Sequence, residues 1–411
     1  MVVLRLVLVC LTGVAAGGDW PQFLGLNRTG TSAETGLLKT FPPGGPQVVW
    51  KTALGTSMSG IAVSGEQAVT MFQDENQQFA VSLSADSGEV LWKTALAPVY
   101  ENGMGNGPRA TPTVSGGRVF AMTGEGLLVG LEAATGKLLW KVNVPQQFGG
   151  EAAEYGVSCS PLVAGDLVIV QAGSDSAGAI AVQCATGKLA WQTRSGRSGY
   201  ASPVLVKLAG RLQVVVFDGA GAGGLDPQTG TELWQFPFPT EYDCNTACPV
   251  QVGENELLIS SGENHGSVIL QVTKSGGDLQ VQPVWSSLGK DSQLRAEWQT
   301  PVVHEGHLYG LDNSGSAGPI TNLVCIRLSD RKTVWQKSRF GKGNLILADG
   351  CLWITTMKGE LVLAEAAAAG YRELGRATIM ETTRQAPSLS EGRLFVRDDQ
   401  HVICLEVSAS R

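Results

Sequence analysis

The chain has 411 residues, of which 43% are apolar and 16% are charged, with 53 glycines and a formal net charge of −7. This composition is typical of a folded protein with many short strands and tight turns, and it excludes a largely disordered chain. The mildly acidic charge is spread along the sequence, so no basic stripe is available for phosphates. Nucleic acid is therefore not expected as a partner.

The first 16 residues have the pattern of a secretory signal peptide. Arg5 precedes an apolar run at 6–11, and small residues follow at 14–16. The run is too short to span a bilayer, and no later apolar segment reaches the ~20 residues that a transmembrane helix needs. We predict a periplasmic or secreted protein without a transmembrane segment. Cys10 lies inside the apolar run, which leaves lipidation as an open alternative.

Residues 17–46 precede the repeats and are predicted to form an extended arm against the domain. They include Asp-Trp-Pro-Gln-Phe at 19–23 and a Pro/Gly-rich lead at 41–46.

A phrase that ends in Trp recurs along the rest of the chain. One copy is Leu-Asp-Pro-Gln-Thr-Gly-Thr-Glu-Leu-Trp at 225–234, and it predicts a hairpin whose turn Gly takes positive φ and whose second strand is anchored by Trp. The predicted anchors are Trp50, Trp92, Trp140, Trp191, Trp234, Trp285 and Trp335. Successive anchors are separated by 42, 48, 51, 43, 51 and 50 residues. A period of roughly 45 residues indicates a repeat architecture.

Each unit also opens on a regular segment, such as Ala-Thr-Pro-Thr-Val at 110–114 or Cys-Ser-Pro-Leu-Val at 159–163. A unit then has four strands, which is the pattern of a propeller blade, and Pro is tolerated where a strand begins. The last unit has only three strands, so residues 48–54 are predicted to supply the fourth and close the ring. We predict an all-β, eight-bladed β-propeller of four-stranded antiparallel blades over residues 47–411. A seven-bladed ring remains an alternative, because the seventh unit ends without Trp.

These Thr-Gly-x-x-x-Trp repeats resemble those of the pyrroloquinoline-quinone-type (quinoprotein-type) propellers. The superfamily includes quinoprotein alcohol dehydrogenases and the propeller lipoprotein of the outer-membrane assembly machine. Residues 19–23, 341–350 and 359–365 look most like a bacterial subgroup of exported pyrroloquinoline-quinone-like repeat proteins. The resemblance is specific for the fold and says little about chemistry, because Trp and Gly serve blade packing.

Function in a propeller is expected on the face where loops gather around the central channel. These loops predict a ligand or partner site at Asp74, Glu75, Arg109, Tyr155, Tyr200, Tyr242, Asn245, His265, Trp298, Asp312, Lys342 and Arg384. Apolar planes beside hydrogen-bond donors suit a planar, carboxylated or sugar-like ligand. The alternative is that these loop tips are polar only because they are exposed to solvent. No catalytic residue and no metal site is predicted, since His304 and His307 are two ligands where zinc needs three or four.

We predict an exported, non-catalytic, monomeric propeller that binds a protein or a polysaccharide through this face, in envelope assembly, and needs no cofactor. The alternative is a dehydrogenase of alcohols or sugars that depends on pyrroloquinoline quinone and calcium. The resemblance implies that such an enzyme holds the quinone between a Trp and a disulfide of adjacent cysteines, with oxygen ligands for calcium and a carboxylate base. Trp298, Asn245 and either Asp312 or Glu263 would take those roles. No adjacent cysteine pair is present.

Seven cysteines follow the signal segment, and most lie in predicted strands. Cys244 and Cys248 are closest in sequence, and a disulfide between them is left open.

Overall fold

The computed structural model describes residues 18–150, 153–174, 177–193, 196–315 and 320–409. The predicted signal peptide and Cys10 lie outside these ranges.

The described residues form short strands with a single α-helix, α1 (Val144–Phe148), whose first turn is capped by the Asn143 side chain. The helix was not predicted. The first half of the strands, in chain order, is β1 (Thr31–Ser32), β2 (Gln47–Ala53), β3 (Ala62–Ser64), β4 (Gln67–Gln73), β5 (Gln77–Ser84), β6 (Val90–Pro98), β7 (Thr113–Ser115), β8 (Arg118–Met122), β9 (Leu127–Glu132), β10 (Leu138–Asn143), β11 (Leu162–Ala164), β12 (Leu167–Gln171), β13 (Ala179–Gln183), β14 (Leu189–Gln192), β15 (Val204–Leu208), β16 (Arg211–Phe217), β17 (Gly221–Leu225) and β18 (Glu232–Pro237).

The second half of the strands is β19 (Val250–Gln251), β20 (Glu256–Ser261), β21 (Gly266–Ser275), β22 (Asp278–Leu288), β23 (Val302–His304), β24 (His307–Ser314), β25 (Ile320–Arg327), β26 (Lys332–Lys337), β27 (Gly343–Ala348), β28 (Cys351–Thr356), β29 (Glu360–Glu365), β30 (Glu373–Thr378), β31 (Ser388–Ser390), β32 (Arg393–Arg397) and β33 (His401–Glu406). Two 3-10 turns, Glu241–Asp243 and Gly289–Asp291, lie in loops.

The strands assemble into eight antiparallel four-stranded blades. Blades 1 to 7 are β3–β6, β7–β10, β11–β14, β15–β18, β19–β22, β23–β26 and β27–β30, and blade 8 is β31–β33 with β2. The eight-bladed prediction is confirmed, and the seventh unit is a regular blade. Blade 7 also gains β1 as a fifth strand, which pairs parallel to β27 with Thr31 opposite Leu347.

The ring closes on its own first blade strand. Strand β2 pairs antiparallel to β33, with Gln47 opposite Glu406 and Ala53 opposite His401. This confirms the predicted closure, which leaves blade 8 with a complete outer strand and joins the two ends of the repeat array.

The recurring Trp and Gly meet between blades. The Trp92 indole of blade 1 donates a 2.8 Å hydrogen bond to the Ala133 carbonyl in the turn of blade 2. Gly136 in that turn has a φ of 71°, and a Cβ added there would lie 2.5 Å from the Trp92 ring. The same indole-to-turn bond joins Trp50 to Ala85, Trp140 to Cys184, Trp191 to Pro227 and Trp335 to Ala367. The phrase therefore encodes a contact with the neighbouring blade as well as a hairpin.

Blades 4, 5 and 7 depart from this pattern, and in blade 5 the Trp285 indole has no such bond to a described residue. The Trp234 indole donates to Gln213 Oε1 within its own blade, at 2.6 Å. Blade 7 has no Trp on its outer strand, and Phe41 of the arm packs there instead, close to Gly375 and with its ring centroid 6.1 Å from that of Trp353. The arm thus supplies an aromatic ring that the seventh unit lacks.

Outer strands do not alternate simply between buried and exposed residues. Every outer strand shifts register against its neighbour beside the anchor position. In β6, Val90 and Leu91 are both exposed and Trp92 is 8% exposed. A bulge of this kind turns two successive side chains outward, so the Trp is the residue that packs inward.

The innermost strands are tied to one another around the channel by the hydroxyls of their Ser/Thr-Pro segments. Thr111 N donates to Ser160 Oγ at 3.0 Å, and Ser160 N donates to Ser202 Oγ at 2.9 Å. Cys248 N donates to Thr300 Oγ1 in the same way, at 3.0 Å. These bonds satisfy backbone groups that Pro leaves without a regular strand partner. Cys244 and Cys248 are free thiols, so the disulfide left open by the sequence is not formed.

Candidate functional site

A cavity of about 620 Å³ opens at the centre of the loop face. All eight connections that lead from the outer strand of one blade to the inner strand of the next contribute side chains to it. The lining residues are Phe23, Met58, Met104, Arg109, Tyr155, Ser158, Ser160, Tyr200, Ser202, Tyr242, Cys244, Thr246, Gly262, Glu263, Glu297, Trp298, Lys342, Asn344, Arg384 and Gln385. The volume is in the range of cavities that bind small ligands or a few residues of a polymer.

The N-terminal arm closes the inner end of the cavity. Trp20 of the arm forms an isolated β-bridge with Val63, and the Pro21 carbonyl accepts a hydrogen bond from Val114 N. The arm therefore lies at the ends of the inner strands that are far from the loop face. From there Phe23 reaches the cavity. The other lining residues come from the opposite loop face, and Phe23 therefore forms the floor.

Arg28 of the same arm is buried against the inner strands of blades 3 and 4. It is 3% exposed, and its guanidinium donates to the carbonyl oxygens of Ser160 at 3.0 Å, of Pro203 at 2.9 Å and of Pro161. Burial lowers the pKa of Arg28 to about 10, which leaves it charged at neutral pH. The charge is held by carbonyl dipoles, since among the described residues no carboxylate lies within ion-pair distance.

One wall of the cavity is a Trp ring beside two cations. The Lys342 ammonium lies 4.5 Å from the Trp298 ring centroid, and the Arg384 guanidinium lies 5.8 Å from it. Lys342 also pairs with Glu297 at 3.0 Å. Burial raises the pKa of Glu297, and the Lys342 charge opposes that shift. Such cation–aromatic contacts fix the ring orientation and leave a flat apolar surface beside hydrogen-bond donors.

The opposite wall is built from tyrosines. Tyr155 and Tyr200 stack with ring centroids 5.9 Å apart, and the Tyr155 amide donates to the Tyr200 hydroxyl at 3.3 Å. Burial raises the pKa of Tyr200, so its hydroxyl stays protonated at neutral pH. Tyr242 is 58% exposed at the rim. Burial also raises the pKa of the Cys244 thiol, to about 12, so this lining cysteine is a weak nucleophile at neutral pH.

The structure brings together seven of the predicted site residues. Those that line the cavity are Arg109, Tyr155, Tyr200, Tyr242, Trp298, Lys342 and Arg384. Their role in binding stays a prediction. Asp74 and Glu75 lie outside the cavity, exposed in the turn between β4 and β5, where Asp74 Oδ1 accepts from the amides of Asn76 and Gln77.

Three further predicted residues turn away from the cavity. Asn245 is fully buried and donates through Nδ2 to the Asp218 carbonyl at 2.7 Å. Asp312 is 2% exposed and forms a two-oxygen ion pair with Arg295, at 2.7 and 2.8 Å. The His265 ring packs edge-on against Phe238, with centroids 4.4 Å apart. In the structure, all three side chains hold loops in place.

The sequence interpretation missed several lining residues. Met58, Met104 and Glu297 carry no motif that marks them, and Phe23 ends the segment at 19–23, which is assigned only to the arm. Phe23 comes from an arm whose docking site is set by tertiary contacts, and the two methionines lie in irregular loops. The only local signal is that Glu297 directly precedes Trp298.

The residues do not fit pyrroloquinoline quinone with calcium. Trp298 and Glu263 both line the cavity, but Asn245 and Asp312 are turned away from it, so the expected calcium ligand does not reach the site. Lys342 also lies against the ring on which the quinone would stack. Within the described ranges no group of three or more His, Cys, Asp and Glu side chains is arranged to hold a metal ion. The chain's own groups therefore give no cradle for that cofactor.

Comparison with known proteins gives the family. Residues 76–337 match the family model described as outer membrane protein assembly factor BamB, and this stretch is more than half of the chain. The chain belongs to that family. An outer membrane protein assembly factor BamB of Moranella endobia is 23% identical over 298 residues, which is 70% of this chain and 72% of that protein.

Two solved structures share the fold. A quinohemoprotein alcohol dehydrogenase from Comamonas testosteroni superposes with a TM-score of 0.71 and 13% identity, over 96% of this chain and 81% of the other. BamB from Moraxella catarrhalis superposes with a TM-score of 0.62 and 15% identity, over 89% of this chain and 98% of the other. At these identities the likeness concerns the fold alone. Among the residues that the structure of the present chain describes, no helix is long and apolar enough to cross a bilayer.

Proposed function

We propose that this chain is an exported, non-catalytic propeller that binds a protein partner in its loop-face cavity and serves the assembly of outer-membrane proteins. The observation that carries the proposal is the cavity itself, in which side chains from all eight blade connections meet over the floor formed by Phe23. Membership in the family of outer membrane protein assembly factors supports the same role. The signal-peptide pattern at residues 1–16 supports export to the periplasm, where the protein acts as a monomer.

The chemistry of the lining favours binding over catalysis. Trp298, Tyr155 and Tyr200 offer flat apolar surfaces, and Arg109 and Arg384 offer planar arrays of donors. Aromatic residues and Arg are the side chains that contribute most to binding energy at protein interfaces. The lining has no nucleophile paired with a base, since Cys244 has a raised pKa and no His is among the described lining residues.

Site-specific photo-crosslinking in the native envelope tests where the partner binds. The photoreactive residue p-benzoylphenylalanine would replace Tyr242, which is 58% exposed at the cavity rim. The matched control is the same replacement of Leu212, which is 51% exposed next to the turn between β15 and β16, on the opposite face. We expect discrete protein adducts from position 242 and none from position 212. Equal adducts at both positions, or none at either, would overturn the proposal.

A second experiment separates binding from dehydrogenation. The purified protein would be mixed with pyrroloquinoline quinone and calcium, and reduction of an electron-accepting dye would be followed with primary alcohols and aldoses as substrates. We expect no dye reduction above the protein-free control. Reduction by the wild type that disappears in Trp298→Ala would establish the dehydrogenase and refute a non-catalytic role.

A further inference from the structure

Two arginines from different blade connections bond two consecutive backbone carbonyls at the cavity wall. Arg109 donates through Nη2 to the Gly105 carbonyl at 2.7 Å, and Arg384 donates through Nη1 to the adjacent Met104 carbonyl. Arg109 lies in the connection from blade 1 to blade 2, whereas Arg384 lies in the connection from blade 7 to blade 8. The loop at 104–105 thus brings two like charges together, and both line the cavity.

Neither guanidinium has a carboxylate partner. Among the described residues no Asp or Glu lies within ion-pair distance of Arg109 or of Arg384. Arg109 is 8% exposed and is fixed by a further bond to the Gly107 carbonyl at 2.9 Å and by the Tyr100 ring, 5.0 Å from its guanidinium carbon. The Nε and Nη2 groups of Arg384 make no hydrogen bond to a described residue, so these donors are available to a ligand.

The charge balance of the cavity favours an anion at this pair. The charged lining residues are the cations Arg109, Lys342 and Arg384 and the acids Glu263 and Glu297, which leaves a net charge of +1 within a chain of net charge −7. The charge of Lys342 is matched by Glu297. Burial lowers the pKa of Arg109, and the charge of Arg384 lowers it as well, as expected for two neighbouring cations. The nearby charge of Arg384 also opposes the rise in pKa that burial causes at Asp399.

The shape of the cavity favours the end of a chain. Phe23 forms the floor, and Arg28 of the same arm is bonded to carbonyls of the inner strands, so a polymer that enters from the loop face meets the arm instead of an open channel. A volume of about 620 Å³ holds a few residues and is too small for a folded domain. A polypeptide that ends inside a blind, positively charged cavity presents its terminal carboxylate.

We propose that Arg109 and Arg384 bind the C-terminal carboxylate of a polypeptide. This inference rests on the proposed function and names the part of the partner that the cavity takes. The arginine fork matches a carboxylate in geometry as well as in charge, and such bonds are stronger than neutral hydrogen bonds.

A retention experiment with two peptide mixtures tests the proposal. Both mixtures carry the same random residues at the last four positions. One has free C-terminal carboxylates and the other has isotope-coded C-terminal amides. The immobilised full-length protein would be incubated with both, and retained peptides would be counted by mass spectrometry. We expect the free acids to exceed the amides by at least roughly tenfold, because only they place a carboxylate between the two guanidiniums.

Variants show whether the arginines are responsible. Arg384→Gln removes one charge and is expected to abolish the preference for free acids, and Arg384→Lys, which keeps the charge but not the fork, is expected to restore part of it. Arg327→Gln is the matched control, because Arg327 lies on the opposite face and pairs with Asp330. A circular dichroism melt of each variant verifies folding. If Arg384→Gln is folded and keeps the wild-type preference, the proposal is refuted.

The outcomes also separate this inference from the proposed function. Retention of acids and amides in equal amounts, or of neither, would refute carboxylate capture while adducts at position 242 still supported a protein partner. Retention of oligogalacturonate without any peptide would overturn both, since the cavity would then bind an acidic polysaccharide. A third outcome is that position 242 gives no adducts in the envelope while the purified protein still prefers free acids. The cavity would then bind peptide carboxylates, but the proposed envelope partner would be refuted.

Discussion

The Arg28 guanidinium donates a hydrogen bond to the Pro203 carbonyl at 2.9 Å, across 175 residues of sequence and from the arm into the centre of the ring. The same guanidinium bonds the carbonyls of Ser160 and Pro161, where the inner strand of blade 3 begins. One side chain thus ties the arm to two neighbouring blades. The floor of the cavity depends on this tie, because Phe23 belongs to the same short segment.

Replacing Arg28 by Ala is expected to lower the free energy of unfolding by about 2 kcal/mol. The carbonyl acceptors lose their charged donor, and the loss is partly offset because a buried charge is removed. Urea denaturation followed by fluorescence measures the change, and limited proteolysis is expected to cut the arm faster. Arg327→Ala, at an exposed ion pair, is the control and is expected to cost at most about 1 kcal/mol. An unchanged free energy and an unchanged cutting rate would show that the arm docks without Arg28.

Gly136→Ala is expected to destabilise the protein far more than Gly117→Ala. Both glycines belong to turns of blade 2 and have nearly the same φ, 71° and 72°. An added Cβ meets the Trp92 ring at 2.5 Å in the first case and nothing within 4 Å in the second. Conformational strain alone costs about 1–2 kcal/mol, so Gly117→Ala measures that share. Thermal and urea unfolding would give the difference, which we expect to be a further ~2 kcal/mol or more from the clash.

If Gly136→Ala and Gly117→Ala were equally stable, the close contact between Trp92 and the neighbouring turn would not contribute to blade packing. Trp92→Phe gives an independent reading, since it removes the indole donor to Ala133 and keeps most of the ring. Its expected cost is about 1 kcal/mol.

The sequence predicts the fold well because each repeat contains both partners of the contact between blades. Trp anchors recur seven times at a spacing of 42–51 residues, four of them five residues after a Thr or Ser that precedes Gly, and closure by β2 follows from the three strands left in the last unit. The bulge before each Trp is not predictable from alternation, since pairs such as Val90 and Leu91 look like half-buried strand residues but are exposed.

The site is less predictable, because loop residues of the same chemical type face opposite ways. Trp298 and Arg384 line the cavity, whereas Asn245 and Asp312 are turned into the protein by bonds to Asp218 and Arg295. Nothing in the local sequence distinguishes these cases, because the partners lie in other strands or loops.

Asp312→Asn is expected to destabilise the fold without a direct effect on the cavity. It would leave Arg295, whose side chain is 6% exposed, without its counterion, at a cost of about 3–5 kcal/mol. Asp330→Asn, at an exposed pair with Arg327, is the matched control and should cost less than about 1 kcal/mol. Urea denaturation measures both. Normal stability of Asp312→Asn together with lost peptide retention would mean that Asp312 acts in the cavity after all.

Acidification is expected to weaken the fold partly through His265. Burial against Phe238 lowers the pKa of His265 below its ordinary 6.5, so the unfolded chain binds this proton more readily than the folded one. The stabilisation is therefore complete above pH 6.5 and is lost as pH falls through the folded value. Because the ring is half-buried, the contribution is a fraction of a kcal/mol. Urea denaturation at pH 7.5 and pH 5.0 should show a smaller loss for His265→Gln than for the wild type, with His307→Gln on the opposite face as control. Identical losses in all three proteins would assign the acid sensitivity to other groups.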